Sequence, residues 1–232
     1  SDIGSYEWGI FSGVKKATQE NNVNLICFAG GGIDAPFYNH IQRNAVFYLA
    51  KSKNIDGILT ISGTLGTHIR KSQLEEFFNF FSPVPIVSMG IDFKNHPSLL
   101  VDNKQGMREL MLHLIEIHNY KRIAFIGGPE TNRDAQIRFE VYKEILSEYG
   151  LGFDKNIVVQ GDLIFSSGKE AIDVLSEQCN LQCDALMSSN DYMAISALHE
   201  LTKRGIKVPE DMAVVGFDDI FESRYLLKPL TT

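Results

Sequence analysis

The stretch Ala185-Leu186-Met187-Ser188-Ser189-Asn190-Asp191-Tyr192-Met193-Ala194-Ile195-Ser196-Ala197-Leu198-His199-Glu200-Leu201-Thr202-Lys203-Arg204-Gly205 decides the fold class. It opens on a short apolar run, which reads as a strand over residues 185–187. Asn190 and Asp191 follow, the residue types that accept hydrogen bonds from the orphan N–H groups of a helix start. Met193, Ile195, Ala197, Leu198 and Leu201 then supply the apolar positions of a helix over residues 191–204. Gly205 follows Arg204, where a helix end favours glycine with a cation nearby, and Pro209 blocks any extension. The unit is strand, cap, helix, stop.

The same alternation runs along the chain. Further apolar runs rich in β-branched residues lie at 23–28, 57–61, 84–88, 99–101, 122–126, 157–159 and 212–217. Helical spacing separates them. Ile10, Val14 and Ala17 fall at i, i+4 and i+7, and Ile172, Val174 and Leu175 mark a helix over 169–178. Strands alternating with helices imply βαβ units and parallel sheets, and nearly continuous apolar strands fit sheets covered on both faces. The polar segment 92–97 ends in proline and reads as a connection. Similar numbers of βα units lie on either side of residues 100–102, so the expectation is an N-terminal lobe over 1–101 and a C-terminal lobe over 102–232. The chain opens on a helix with no strand before it. It closes on Leu227-Lys228-Pro229-Leu230-Thr231-Thr232, which reads as a connection, so a segment of something longer is expected.

Composition narrows the function. The 232 residues carry a net charge of -7 and are 44% hydrophobic, which excludes a disordered chain. Acidic residues outnumber basic ones, 29 to 22, which argues against a nucleic-acid-binding surface on this segment. Three cysteines make no disulfide framework. Cys27 sits in an apolar run where a buried thiol is expected, and Cys179 and Cys183 have no neighbouring histidine to complete a zinc site. A reducing compartment, the cytoplasm, is the reading. No run of 18 apolar residues spans a membrane, and residues 1–4 do not resemble a signal peptide.

Familiar catalytic patterns are missing. No GxGxxG or GxxxxGK[ST] follows a strand, and Gly30-Gly31-Gly32 lacks the spacing that cradles phosphate. There is no GxSxG elbow and no HExxH. His113 and His118 are not the i, i+4 pair that holds a metal from one helix face. No catalytic residue, metal or cofactor is expected.

Polar residues instead gather just after strands: Ser62, Asp102 and Asn103, Asn190 and Asp191, Asp218 and Asp219. Ligands of open α/β sheets bind at the carboxyl ends of strands. Each residue also has a plain role as a helix cap. Their recurrence on two lobes describes a cleft for a polar molecule, with carboxylates and amides suited to hydroxyls or ring nitrogens.

Several motifs together closely resemble the ligand-binding domain of LacI/GalR-type bacterial regulators. They are Ser189-Asn190-Asp191-Tyr192-Met193-Ala194, Arg204-Gly205-Ile206-Lys207-Val208-Pro209-Glu210-Asp211, Val214-Val215-Gly216-Phe217-Asp218-Asp219-Ile220 and Pro229-Leu230-Thr231-Thr232. Arg122-Ile123-Ala124-Phe125-Ile126-Gly127-Gly128-Pro129, residues 138–142, Gly13, Asp56-Gly57-Ile58 and Val101-Asp102-Asn103 fit the same pattern.

The resemblance implies an α/β fold of the type I periplasmic-binding-protein-like class. Two Rossmann-like lobes with parallel sheets would be joined by a hinge, with a small effector, a sugar or purine-like molecule, in the cleft. Arg138 occupies the position of that family's effector-binding arginine; its alternative is a surface ion pair with Asp134 at i, i+4. Asn190 and Asp218 match the ligand-contacting asparagine and aspartate. Ser62 and Leu163 match further contact positions, Phe165 is placed to offer a stacking face, and Tyr6 lies in the loop that reaches the ligand or else packs at a helix start.

The family's helix-turn-helix headpiece, first strand and C-terminal return segment are absent from these residues. The resemblance further implies a homodimer. Tyr6–Trp8, Ser62-Gly63-Thr64-Leu65-Gly66 and Gly106-Met107-Arg108 are closer to sensor modules fused to signalling enzymes such as histidine kinases. The expectation is a non-enzymatic sensor that signals to a fused or partner output module. A transport solute-binding protein, an enzyme using the cleft, or an interaction module without a ligand are the alternatives.

Overall fold

The computed structural model describes residues 4–36, 42–51 and 55–232. The chain divides into two compact units, Ser1–Val101 with Thr131–Arg133, and Asp102–Glu130 with Asp134–Thr232. Both carry parallel sheets, so the expected α/β class holds.

In the C-terminal unit, α4 (Asn103–Leu112) and a π-helical turn (His113–Ile117) precede β4 (Ile123–Gly127). Then come α5 (Arg133–Glu148), β5 (Val158–Gln160), α6 (Phe165–Cys179), β6 (Ala185–Ser188), α7 (Asp191–Lys203), β7 (Ala213–Val215) and α8 (Phe221–Arg224). The sheet order is β5-β4-β6-β7, all parallel. Every residue of β4 and β6 is buried, as a sheet covered on both faces requires. Phe125, Tyr142, Ile145, Met107, Met111 and Leu114 fill one side of the core, and the Tyr142 hydroxyl donates to the Ile123 carbonyl at 2.8 Å.

The punctuation follows the sequence closely. Asn190 Oδ1 accepts from Met193 N at 3.1 Å and caps α7. Its far end closes with Gly205 at φ +81, the Gly205 and Ile206 amides bonding to the carbonyls of Thr202 and Leu201. Asp102 caps α4 through Gln105 N at 3.0 Å. Helices α6 and α7 meet at Gly168, where an added Cβ would lie 2.1 Å from Met193 O.

The N-terminal unit holds α1 (Ser5–Glu20), a 3-10 segment (Asn44–Lys51), β1 (Ile58–Ile61), α2 (Ser62–Leu65), α3 (Lys71–Asn79), β2 (Ile86–Met89) and β3 (Ser98–Leu99). Its sheet is β1-β2-β3, all parallel. Leu74, Phe78, Phe81, Ile86 and Phe93 form its core.

Two expectations fail here. Residues 23–28 form no strand; Val23 is 57% and Ile26 64% exposed, and Cys27 is exposed rather than buried. β-Propensity alone makes no strand: the backbone needs a neighbour to share its hydrogen bonds, and no described strand pairs with this run. Helix α1 forms with its Ile10, Val14 and Ala17 stripe, yet buries no residue.

His113 and His118 lie at the end of α4. The intervening turn is π-helical, and their Nε2 atoms stand 3.2 Å apart.

Gly168→Ala should lower the stability of the C-terminal unit by about 1–3 kcal/mol, since the obstructing atom is backbone and can move only with α7. Urea unfolding followed by circular dichroism checks this; an unchanged midpoint would mean that the helices separate freely.

Candidate ligand site

The C-terminal ends of β4, β6 and β7 bring a polar cluster together. Arg138 points inward from α5 and is 5% exposed. Its Nε donates to Asn103 Oδ1 at 2.8 Å, its Nη1 donates to Ser189 O, and its Nη2 stands 3.2 Å from Asp218 Oδ1. The guanidinium carbon lies 3.8 Å from the centre of the Phe217 ring, a cation–π contact in a desolvated setting. Asn103 passes its other function to Asp134, Nδ2 to Oδ1 at 2.7 Å. Arg138 is therefore part of an internal network, not a surface pair.

The loop bearing Asp218 is held by its neighbours. Asp191, fully buried at the start of α7, accepts from Ile220 N at 3.0 Å and from the Ser223 hydroxyl at 2.7 Å, while its own amide donates to Phe217 O at 2.9 Å. These bonds hold the chain on both sides of Asp218. Asp218 itself has φ +116 and Asp219 φ +48, conformations that cost a non-glycine residue on the order of 1–3 kcal/mol. Burial pushes the Asp218 carboxyl up to about 7, against the opposing pull of Arg138. Burial also raises the Asp191 carboxyl.

Asn190 adjoins the network through Ser189. It is buried; besides capping α7 it donates from Nδ2 to Leu163 O at 2.9 Å. That bond fixes Leu163, at φ +67, against Gly128, and Phe165 begins α6 two residues later with its ring exposed and edge-on to His199 at 6.1 Å. Arg138, Asn190, Asp218, Leu163 and Phe165 are thus linked by bonds and short chain segments. Ser62 and Tyr6 belong to the N-terminal unit. Ser62 is fully covered, and its hydroxyl is hydrogen-bonded to Ser88 Oγ at 2.8 Å. Tyr6 lies in the first turn of α1, which fits its alternative as a helix-start residue.

The cluster sets a fork of N–H donors beside a carboxylate, with an aromatic face below. That arrangement matches adjacent hydroxyls or a heterocycle edge that both donates and accepts. Among the described residues, no group of three or more His, Cys, Asp or Glu could hold a metal ion, and no helix is long and apolar enough to cross a membrane.

Comparison with known proteins bears on the family and the fold. Residues 112–232 match the periplasmic binding protein-like domain. The chain belongs to that family, in its LacI/GalR-type form. It is 32% identical over 224 residues to the HTH-type transcriptional repressor PurR of Haemophilus influenzae, covering 96% of this chain and 63% of that protein. It is 28% identical over 195 residues to the HTH-type transcriptional regulator DegA of Bacillus subtilis, covering 84% and 57%. The solved complex of the transcriptional regulator CelR with cellobiose superposes with a TM-score of 0.80 at 29% identity, covering 98% of this chain and 66% of that one. The chain thus spans 57% and 63% of the two curated relatives' lengths. These relatives are named as transcriptional regulators, and this chain is a periplasmic binding protein-like domain.

Asn103, one of the polar residues that follow strands, and Phe217, which the sequence reading did not single out, complete the Arg138 network. Asn103 follows a strand, which was a usable signal. Phe217 reads as the last apolar residue of a strand, and only its position beneath Arg138 separates it from core.

The raised Asp218 carboxyl has a pH consequence. The folded state keeps the proton up to about pH 7, whereas the ordinary value is 3.8. Between those values the folded state binds more protons, so this group's contribution to stability falls as pH rises from about 4 to about 7, then levels. Asp218→Asn should flatten that fall, measured as urea midpoints from pH 5 to 8. An identical pH profile in the variant would show that Asp218 ionises normally.

Proposed function

We propose that this chain is the small-molecule-sensing part of a regulator, binding a polar effector at the strand ends of the C-terminal unit. The observation that carries the reading is the buried Arg138–Asp218 pair stacked on Phe217 and held by Asn103. A charged pair is costly to bury. Placed at the sheet end where ligands of this fold class sit, it offers a ligand both donors and an acceptor. Arg138 and Asp218 hold the ligand's polar edge, Phe217 and Phe165 supply aromatic faces, and Asn190 fixes the wall through Leu163.

A sugar is the leading effector class, supported by the likeness to a regulator solved with cellobiose; a purine-like molecule, in line with the relatives named PurR, is the second. The output module is a DNA-binding headpiece, as the HTH-type names of the relatives favour, or a signalling enzyme such as a histidine kinase. The protein acts as a cytoplasmic homodimer. The effector can bias the output only by its differential affinity for two conformations of the domain.

Thermal unfolding of the protein against sugars, nucleobases, nucleosides and amino acids tests this. A ligand bound only to the folded state at a hundred times its Kd adds about 2.7 kcal/mol of stability. One chemical class should raise the midpoint, the ligand should return chemically unchanged, and Arg138→Lys and Asp218→Asn should each remove the shift while keeping the far-ultraviolet spectrum. A folded protein indifferent to every class would overturn the reading in favour of a protein-interaction role, and turnover would make it an enzyme.

A further inference from the structure

We propose that His113 and His118 form a two-imidazole site for a divalent transition-metal ion, at the end of α4 remote from the ligand cluster. Residues five apart on an α-helix point about 140° away from each other and cannot share an ion. Here α4 changes at His113 into a π-helical turn, whose i to i+5 bonding stacks position 118 over position 113. Asn119, at φ +57, then reverses the chain, and Tyr120 N closes the turn on Leu114 O at 3.1 Å.

The geometry suits a chelate. The Nε2 atoms stand 3.2 Å apart, the rings are nearly perpendicular at 79°, and their centroids are 4.7 Å apart. An ion about 2.05 Å from each nitrogen subtends roughly 100°, between the tetrahedral and octahedral angles. The His118 ring is stacked on Tyr120 at 15° and 5.3 Å, so one ligand is already oriented. The pair is exposed, so an ion reaches it from solvent. Two neutral imidazoles at this distance share one N–H; the ion replaces that hydrogen bond as the donor ring moves its proton to Nδ1. Imidazole nitrogen selects Zn2+, Ni2+ and Cu2+ over Mg2+ and Ca2+, with Cu2+ strongest. The protein supplies two ligands and water completes the shell. Asn103 lies ten residues before His113, about 15 Å along the helix axis, so the site is separate from the Arg138 cluster.

Untagged full chain, titrated with Cu2+ and with Zn2+ by calorimetry, should bind one ion at this site, with no response to Mg2+. His113→Asn and His118→Asn should each weaken binding about ten-fold or more, whereas His199→Asn should leave it unchanged. With His118 exposed and His113 only half-buried, the variants should keep the parent's circular dichroism. Zn2+ should also shift the ring-proton NMR signals of two histidines together in the unmodified protein, a readout that needs no variant. Undiminished affinity in either single variant, or absence of coupled shifts, would overturn the proposal.

Discussion

The guanidinium of Arg138 is the interaction on which the C-terminal unit's ligand end depends. Removing a charge from water costs several kcal/mol unless hydrogen bonds and an opposite charge replace the solvent. The structure provides Asn103, the Ser189 carbonyl, Asp218 and the Phe217 ring. The partners come from three connections that follow strands, Phe217 and Asp218 sharing one. The arginine therefore ties together the start of α4, the turn before α7 and the loop after β7. A change in any one of these bonds bears on the other connections as well.

Asp191 works in parallel. It holds the loop after β7 from within, through the Ile220 amide and the Ser223 hydroxyl, and so keeps Asp218 in an uncommon backbone conformation. The two acids, well separated in sequence, thus divide the labour: Asp191 faces the fold and Asp218 faces the arginine. Proline and glycine punctuation supplies the rest of the frame, most clearly at Gly205.

Local signals were the most legible. The Asn190 cap, the Gly205 stop and the parallel strands of the C-terminal unit follow from residue type and spacing, because capping and helix termination are decided within a few residues. Residues 23–28 failed for the opposite reason. Their apolar, β-branched character is a local fact, but a strand exists only with a distant partner. The same gap misjudged Cys27. At His113 and His118 the sequence spacing carries no sign of the π turn that brings the two rings together. For the site, the resemblance of the motifs singled out Arg138, Asn190 and Asp218 as candidates. Periodicity had no means of distinguishing Phe217 from core or of seeing that the Ser62 hydroxyl is buried against Ser88.

The uncovered apolar run at 23–28 and the unburied face of α1 have a consequence for what holds the N-terminal unit together. The C-terminal unit closes its own core, while part of the N-terminal unit leaves its apolar surface in water. Apolar surface left in water contributes nothing to holding the fold, so the N-terminal unit rests on the smaller cluster around Leu74, Phe78 and Phe81.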